Sequence, residues 1–165
     1  MDPERTARGL RPDVDEYFLQ MAELVGRRST CYRRMVGCVL VDRQNHVMAT
    51  GFNGVHKGAR HCTEDPCGGA SLPSGTGLDL CEAIHAEQNA LLQCYDVNSI
   101  YTAYIMSAPC VFCMRMLANT SVRRIVFREE YPHVESQRIV GRLGIEWIHR
   151  PRPADVALSP QTDGG

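Results

Sequence analysis

Between residues 99 and 148 the chain alternates two kinds of apolar run, and this alternation restricts its fold more than any other feature. "SIYTAYIMS" (99–107), "VRRIVF" (122–127) and "IEWI" (145–148) are short and rich in β-branched or aromatic residues, and read as strands. "CVFCMRMLANT" (110–120) and a segment near 133–143 lie between them and read as helices. A helix between successive strands of one sheet implies parallel pairing with right-handed crossovers. Upstream, "MVGCVLVD" (35–42) and "HVMATGF" (46–52) flank the polar "RQN" and predict a β-hairpin. Hairpin and crossovers together predict an α/β fold, a three-layer α/β/α sandwich around a mixed five-stranded sheet.

Two further helices are expected. Asp13 with Glu16 is similar to a capping box and opens a helix over 14–28, with Val14, Tyr17, Phe18, Met21, Leu24 and Val25 at helical spacing. "CEAIHAEQNALLQC" (81–94) predicts a helix with Ile84, Leu91 and Leu92 facing inward. Residues 53–80 are rich in Gly, Pro, Ser, Thr and Cys. A loop that long is functional or is held by something other than an apolar core. The expected organisation is a flexible arm (1–11), one domain (12–149) and a disordered tail (150–165), without internal repeats.

Composition narrows the function. No run of 18 apolar residues offers a membrane span, and the charged "MDPERTARGLRPD" lacks the apolar stretch of a secretory signal, so the cytoplasm is expected. A net charge of −1 gives little affinity for a long polynucleotide. The arginine pairs 27–28, 33–34 and 123–124 suit a few phosphates at most. Eight cysteines in a reducing compartment point to metal binding or catalysis rather than to disulfides.

"SAPCVFCM" (107–114) sets Cys110 and Cys113 three apart, and "HAEQN" (85–89) sets His85 and Glu87 two apart. One imidazole and two thiolates are three protein ligands, the composition of a catalytic zinc site, whereas a structural site closes with four. Pro109 ends the strand and prepares the helix, whose positive end favours thiolates. A redox pair would leave His-x-Glu unexplained. Asn53 also reads as a turn residue before Gly54, and Tyr131 as a packing residue before Pro132.

These two motifs match the signature of the zinc nucleobase deaminases. With "RRSTCYRRMVGCVLV", "ATGFNGVHKGARHC" and "VRRIVFREEYP", the chain resembles the deoxycytidylate (dCMP) deaminase family, including its phage and viral types, over about residues 12–149. The resemblance implies zinc-dependent hydrolysis of dCMP to dUMP and ammonia, with dCTP or a 5-substituted dCMP as further substrates. It implies that His85, Cys110 and Cys113 bind zinc and that Glu87 carries protons to ring N3 and to the leaving amino group. It further implies that the backbone at Ala86 and Cys110 reads the base, that Asn53 reaches the sugar, and that Ser107 and Tyr131 border the substrate. A second, structural zinc is implied at Cys31, Cys62, Cys67 and Cys81, with His61 a competitor for the last two positions. Hexamers activated by dCTP and inhibited by dTTP are common in the family. His56 stands where relatives often have proline, in a turn that serves nucleotide and effector binding. Cys38 and Cys94 read as packing residues. A deaminase of RNA or single-stranded DNA would need a basic channel that this composition lacks. A non-catalytic zinc-binding assembly module would have no need of Glu87.

Overall fold

The run GCVLV at Gly37–Val41 forms β1, and all five residues are buried. A strand covered on both faces reads as a continuous apolar run, because alternate side chains enter different cores. Cys38 and Leu40 enter one cluster, Val39 and Val41 the other. This computed structural model describes residues 11–73, 76–77, 79–131 and 134–152. The expected arm, apart from residue 11, and the expected tail from 153 onward lie outside the described residues.

In chain order the elements are α1 (Val14–Gly26), β1, β2 (Val47–Phe52), β3 (Gly54–Val55), β4 (Ala83–Ile84), α2 (Ala86–Gln93), β5 (Thr102–Ser107), α3 (Val111–Ala118), β6 (Arg124–Glu129), α4 (Val134–Leu143) and β7 (Glu146–His149). The main sheet runs β2-β1-β5-β6-β7. β1 is antiparallel to β2 and to β5, whereas β5, β6 and β7 are mutually parallel, so the sheet is mixed, as expected. α1 covers one face, where Phe18, Leu19 and Ala22 meet Val39, Tyr104 and Val126. The other face packs against α2, α3 and α4 through residues such as Ala90, Met114, Leu117 and Ile139. No helix among the described residues is long and apolar enough to cross a membrane.

Several boundaries differ from expectation for local reasons. The helix expected over 81–94 starts only at Ala86, because Ala83 and Ile84 pair with Val55 and Gly54 as a second, two-stranded sheet. Leu91 packs against the core as expected, but Leu92, also expected to face inward, is 74% exposed, since α2 turns its Ala86, Ala90 and Leu91 side to the sheet. In α1, Val14, Tyr17 and Leu24 are exposed. The buried face is Phe18, Leu19, Ala22, Glu23 and Gly26, with small residues where the helix backbone comes close to β1. A Cβ at Gly37 would lie 1.9 Å from the Ala22 carbonyl. Asp13 does cap α1, accepting the Glu16 N–H at 2.8 Å. Glu16 does not reciprocate; its carboxylate accepts hydrogen bonds from Arg128 and Gln20.

Side chains alternate along β6 as they do along β1. Arg124, Val126 and Arg128 face α1, and the two arginines meet its acids. Arg124 pairs with Asp15 at 3.0 Å, and Arg128 pairs with Glu16 at 2.6 Å and Glu23 at 2.8 Å. Arg150 and Arg152 extend the cluster to Asp13 and Glu23. This charged layer lies on the face of the sheet opposite α2 and α3.

Candidate active site

The expected ligands stand at the starts of two helices, with Cys113 in the first turn of α3. His85 is the N-cap of α2 and Cys110 the N-cap of α3, each with extended backbone. The N-terminal ends of the two helices therefore meet, and their unpaired N–H groups and dipoles favour negative charge between them. Three contacts set the position of α2. Gln88 Oε1 accepts the His85 N–H at 2.9 Å, and Asn89 Nδ2 donates to the Phe52 carbonyl at 2.8 Å. Gly51 lets the helix backbone lie directly on β2; a Cβ there would come within 2.2 Å of the Ala86 carbonyl. On the α3 side, the Ala108 N–H donates to the Glu129 carbonyl at 2.9 Å. The buried Ser136 hydroxyl donates to the Pro109 carbonyl at 3.1 Å.

His85 Nδ1 lies 3.6 Å from Cys110 Sγ and 3.3 Å from Cys113 Sγ, and the three donor atoms all fall within 4.8 Å of one another. Zinc bonds of about 2.0 Å to nitrogen and about 2.3 Å to sulfur, at a tetrahedral angle, separate N and S by about 3.5 Å. The residues present therefore fit one zinc ion with three protein ligands. The Cys113 thiol, and then the His85 imidazole, hydrogen-bond the Cys110 sulfur and hold it as a thiolate with a pKa of about 4. The same bond, with burial, pushes Cys113 up. The bond to Cys110 raises His85 against the effect of its burial. Glu87, in the first turn of α2, is 4% exposed, and burial raises its carboxyl above the ordinary range.

A cavity of about 300 Å³ opens over these groups, within the range of small-molecule sites. Its walls include His85, Ala86, Glu87, Cys110, Asn53, Ser107 and Tyr131, so the structure brings these expected site residues together; Cys113 lies behind them. Asn53 is buried with its amide engaged, accepting the Val36 N–H and donating to the Arg34 carbonyl, each at 2.8 Å. Tyr131 also packs against the core, as its reading as a packing residue expects.

Of the other cysteines, Cys31 and Cys81 line the same cavity, and among the described residues only His85, Cys110 and Cys113 bring three donor atoms within 4.8 Å of one another. The Cys62 thiol donates to the Cys67 sulfur at 3.7 Å, and the Cys67 thiol is lowered from its ordinary pKa, first by the backbone N–H of Glu82. Cys31 lies close enough to Cys81 to affect its charge, and both line the cavity. His61 is exposed. Cys38 is fully buried and Cys94 packs against the core, as expected of packing residues. The sequence reading missed Gln88, Asn89 and Ser136. Gln88 had a signal, standing three residues after the N-cap as in a capping box. Asn89 and Ser136 had none, because their partners are backbone carbonyls of distant segments.

A three-layer sandwich in which one imidazole and two thiols meet at two helix N-termini beside a buried carboxylate defines a cytidine deaminase-like metal centre. The chain belongs to the cytidine and deoxycytidylate deaminase zinc-binding family, whose model matches residues 12–129. It is 40% identical over 125 residues to the deoxycytidylate deaminase of Schizosaccharomyces pombe, covering 73% of this chain and 38% of that protein. It thus spans well under half the length of that relative. It is 38% identical over 126 residues to the deoxycytidylate deaminase of Mycobacterium phage D29, covering 73% of this chain and 98% of the phage protein. The crystal structure of dCMP deaminase from the cyanophage S-TIM5 in complex with dCMP and dUMP is similar with a TM-score of 0.67 at 27% identity, over 86% of this chain and 99% of that one.

Proposed function

We propose that this chain is a zinc-dependent hydrolase that converts dCMP to dUMP and ammonia. The observation that carries the reading is the convergence of His85, Cys110 and Cys113 with the buried Glu87 on one cavity, in a chain similar to deoxycytidylate deaminases. Bound zinc would supply Lewis-acid activation of a water molecule. His85, Cys110 and Cys113 would hold the ion. Glu87 would accept the water's proton and deliver it to ring N3 as oxygen adds to C4, then take the proton of the new C4 hydroxyl and pass it to the amino group, which departs as ammonia. Its raised proton affinity suits a group that must both take and give a proton near neutral pH. Ala86 and Cys110 border the base, while Asn53, Ser107 and Tyr131 border the sugar and ring.

A second zinc at Cys31, Cys62, Cys67 and Cys81 is part of the same reading. The 3.7 Å approach of the Cys62 and Cys67 sulfurs supports it. An ion there would hold the apolar-poor segment 53–80. A homohexamer with dCTP and dTTP as effectors follows from the family resemblance and is read by light scattering with and without each nucleotide.

The deciding experiment is product analysis on CMP, dCMP, dCTP, deoxycytidine and a cytosine-containing oligonucleotide at fixed salt. The expected order puts dCMP first in kcat/KM. Preference for the oligonucleotide or the unphosphorylated nucleoside would overturn the dCMP reading and leave zinc deamination standing.

A further inference from the structure

Arg33 and Arg34 both line the cavity, but their side chains are committed differently. Arg33 Nη1 donates to the carbonyls of Gly69 at 2.9 Å and Thr76 at 3.2 Å, so this arginine ties down the long loop. Arg34 instead meets a carboxylate: its Nη2 lies 2.5 Å from Glu129 Oε2. Among the described residues Glu129 is the only hydrogen-bond partner of that guanidinium. Its side chain is 30% exposed, between cavity and solvent. The Arg34 backbone is held by Asn53, whose own amide is buried. Glu129 ends β6 opposite Ser107, a cavity residue, and its carbonyl fixes Ala108. The pair thus spans the rim at the carboxyl ends of the parallel strands, where α/β proteins bind ligands.

We propose that Arg34 and Glu129 act together as the reader of the substrate's phosphorylation level: Arg34 binds the 5′-phosphate and Glu129 turns away additional phosphates. This rests on the dCMP reading above. A guanidinium offers five donors in a planar fork, and the bond to Glu129 engages one edge. The other edge can take two phosphate oxygens without dismantling the ion pair. Glu129 keeps the guanidinium extended over the rim, which lowers the entropy lost when phosphate binds. The same carboxylate is not part of the cavity wall; at 59% exposed against 30% for the guanidinium, it stands on the solvent side of the arginine. A β- or γ-phosphate brought beside it meets like charge, which acts against the wrong ligand more than it helps the right one.

Two ratios test this, each on zinc-loaded protein. In Arg34→Gln the preference for dCMP over deoxycytidine, as a ratio of kcat/KM values, is expected to fall about 10- to 100-fold, the range of a lost charge-assisted hydrogen bond. Arg34→Lys, which keeps the charge and loses the fork, is expected to fall between. In Glu129→Gln the ratio of dCTP to dCMP is expected to rise at least about threefold. Calorimetric binding of dUMP against deoxyuridine should lose the same preference in Arg34→Gln, and this measurement needs no turnover. If wild type prefers dCMP and Arg34→Gln keeps that preference, the assignment of Arg34 is wrong while the substrate reading stands. If Arg34→Gln weakens nucleotide and nucleoside equally, the residue only supports the fold. An unchanged dCTP ratio in Glu129→Gln removes the counting role of the carboxylate. A wild type with no preference for dCMP over deoxycytidine overturns both readings together.

Discussion

At the scale of single residues, Glu87 separates metal binding from chemistry. It stands two positions from His85 yet turns toward the cavity from the first turn of α2, so an isosteric amide should leave the donor cluster in place. Glu87→Gln is expected to retain zinc and lose about 10²- to 10⁴-fold in turnover, because an amide cannot carry protons. Zinc content and kinetics measured on one preparation check this, and near-normal turnover in zinc-loaded mutant would remove Glu87 from the mechanism. The distant cysteines give a different prediction. Wild type should hold two zinc ions per chain, and Cys62→Ser should lose one, unfold at lower temperature and keep the ion at His85, Cys110 and Cys113. One zinc in fully active wild-type protein would sink the second site. His85, Glu87, Cys110 and Cys113 could be read from sequence because each motif is local and its spacing is dictated by ligand chemistry. The Arg34–Glu129 pair could not, because it joins positions 95 apart and depends on where two strands end.

At the scale of elements, the four main helices and the five-stranded sheet could be read from apolar periodicity, and their edges could not. The start of α2 was hidden because "CEAI" has helical composition, yet Ala83 and Ile84 are drawn into pairing with Gly54 and Val55 by distant chain. The same region yields a stability prediction. Gly51→Ala places a methyl against the Ala86 carbonyl and the Ala90 amide, both backbone atoms that cannot swing aside. The expected loss is about 1–3 kcal/mol or more, with weaker zinc retention because His85 moves with α2. Denaturant midpoints and metal content read the two effects. The packing of α1 carries a pH dependence. The Arg128 hydrogen bonds hold the Glu16 carboxyl below its usual range. For Asp15, burial pushes upward, but hydrogen bonds from Arg124 and Tyr104 outweigh it and the net shift is downward. Carboxyls lowered in the folded state add stability above their unfolded pKa, about 4, and lose it as pH falls through the folded values. The part of the unfolding free energy that comes from these two carboxyls should therefore be constant near neutrality and fall below about pH 4, so that the acid limb is shallower in Glu16→Gln and Asp15→Asn than in wild type.

At the scale of the whole molecule, the sheet separates two tasks. Its α2–α3 face carries the donor cluster, and its α1 face carries a layer of ion pairs centred on the buried Arg128. Among the described residues, Arg128→Ala leaves the buried Glu23 with only the longer, 3.3 Å contact to Arg152. The expected destabilisation is about 3 kcal/mol, with dCMP kinetics of the folded fraction unchanged. Altered kcat/KM at full folding would mean that the two faces communicate. The same layer has a consequence for how the chain is made. α1 is the first element in the described sequence, but the arginines that receive its acids stand 109 and 112 positions later. At translation rates of about 5–20 residues per second, an amphipathic helix with acids on its inner edge waits roughly 6–22 s for its counter-charges to be synthesised. During that interval only the acids keep its apolar stripe in solution. A variant with those acids neutralised should therefore aggregate during synthesis at a rate that its equilibrium stability does not account for.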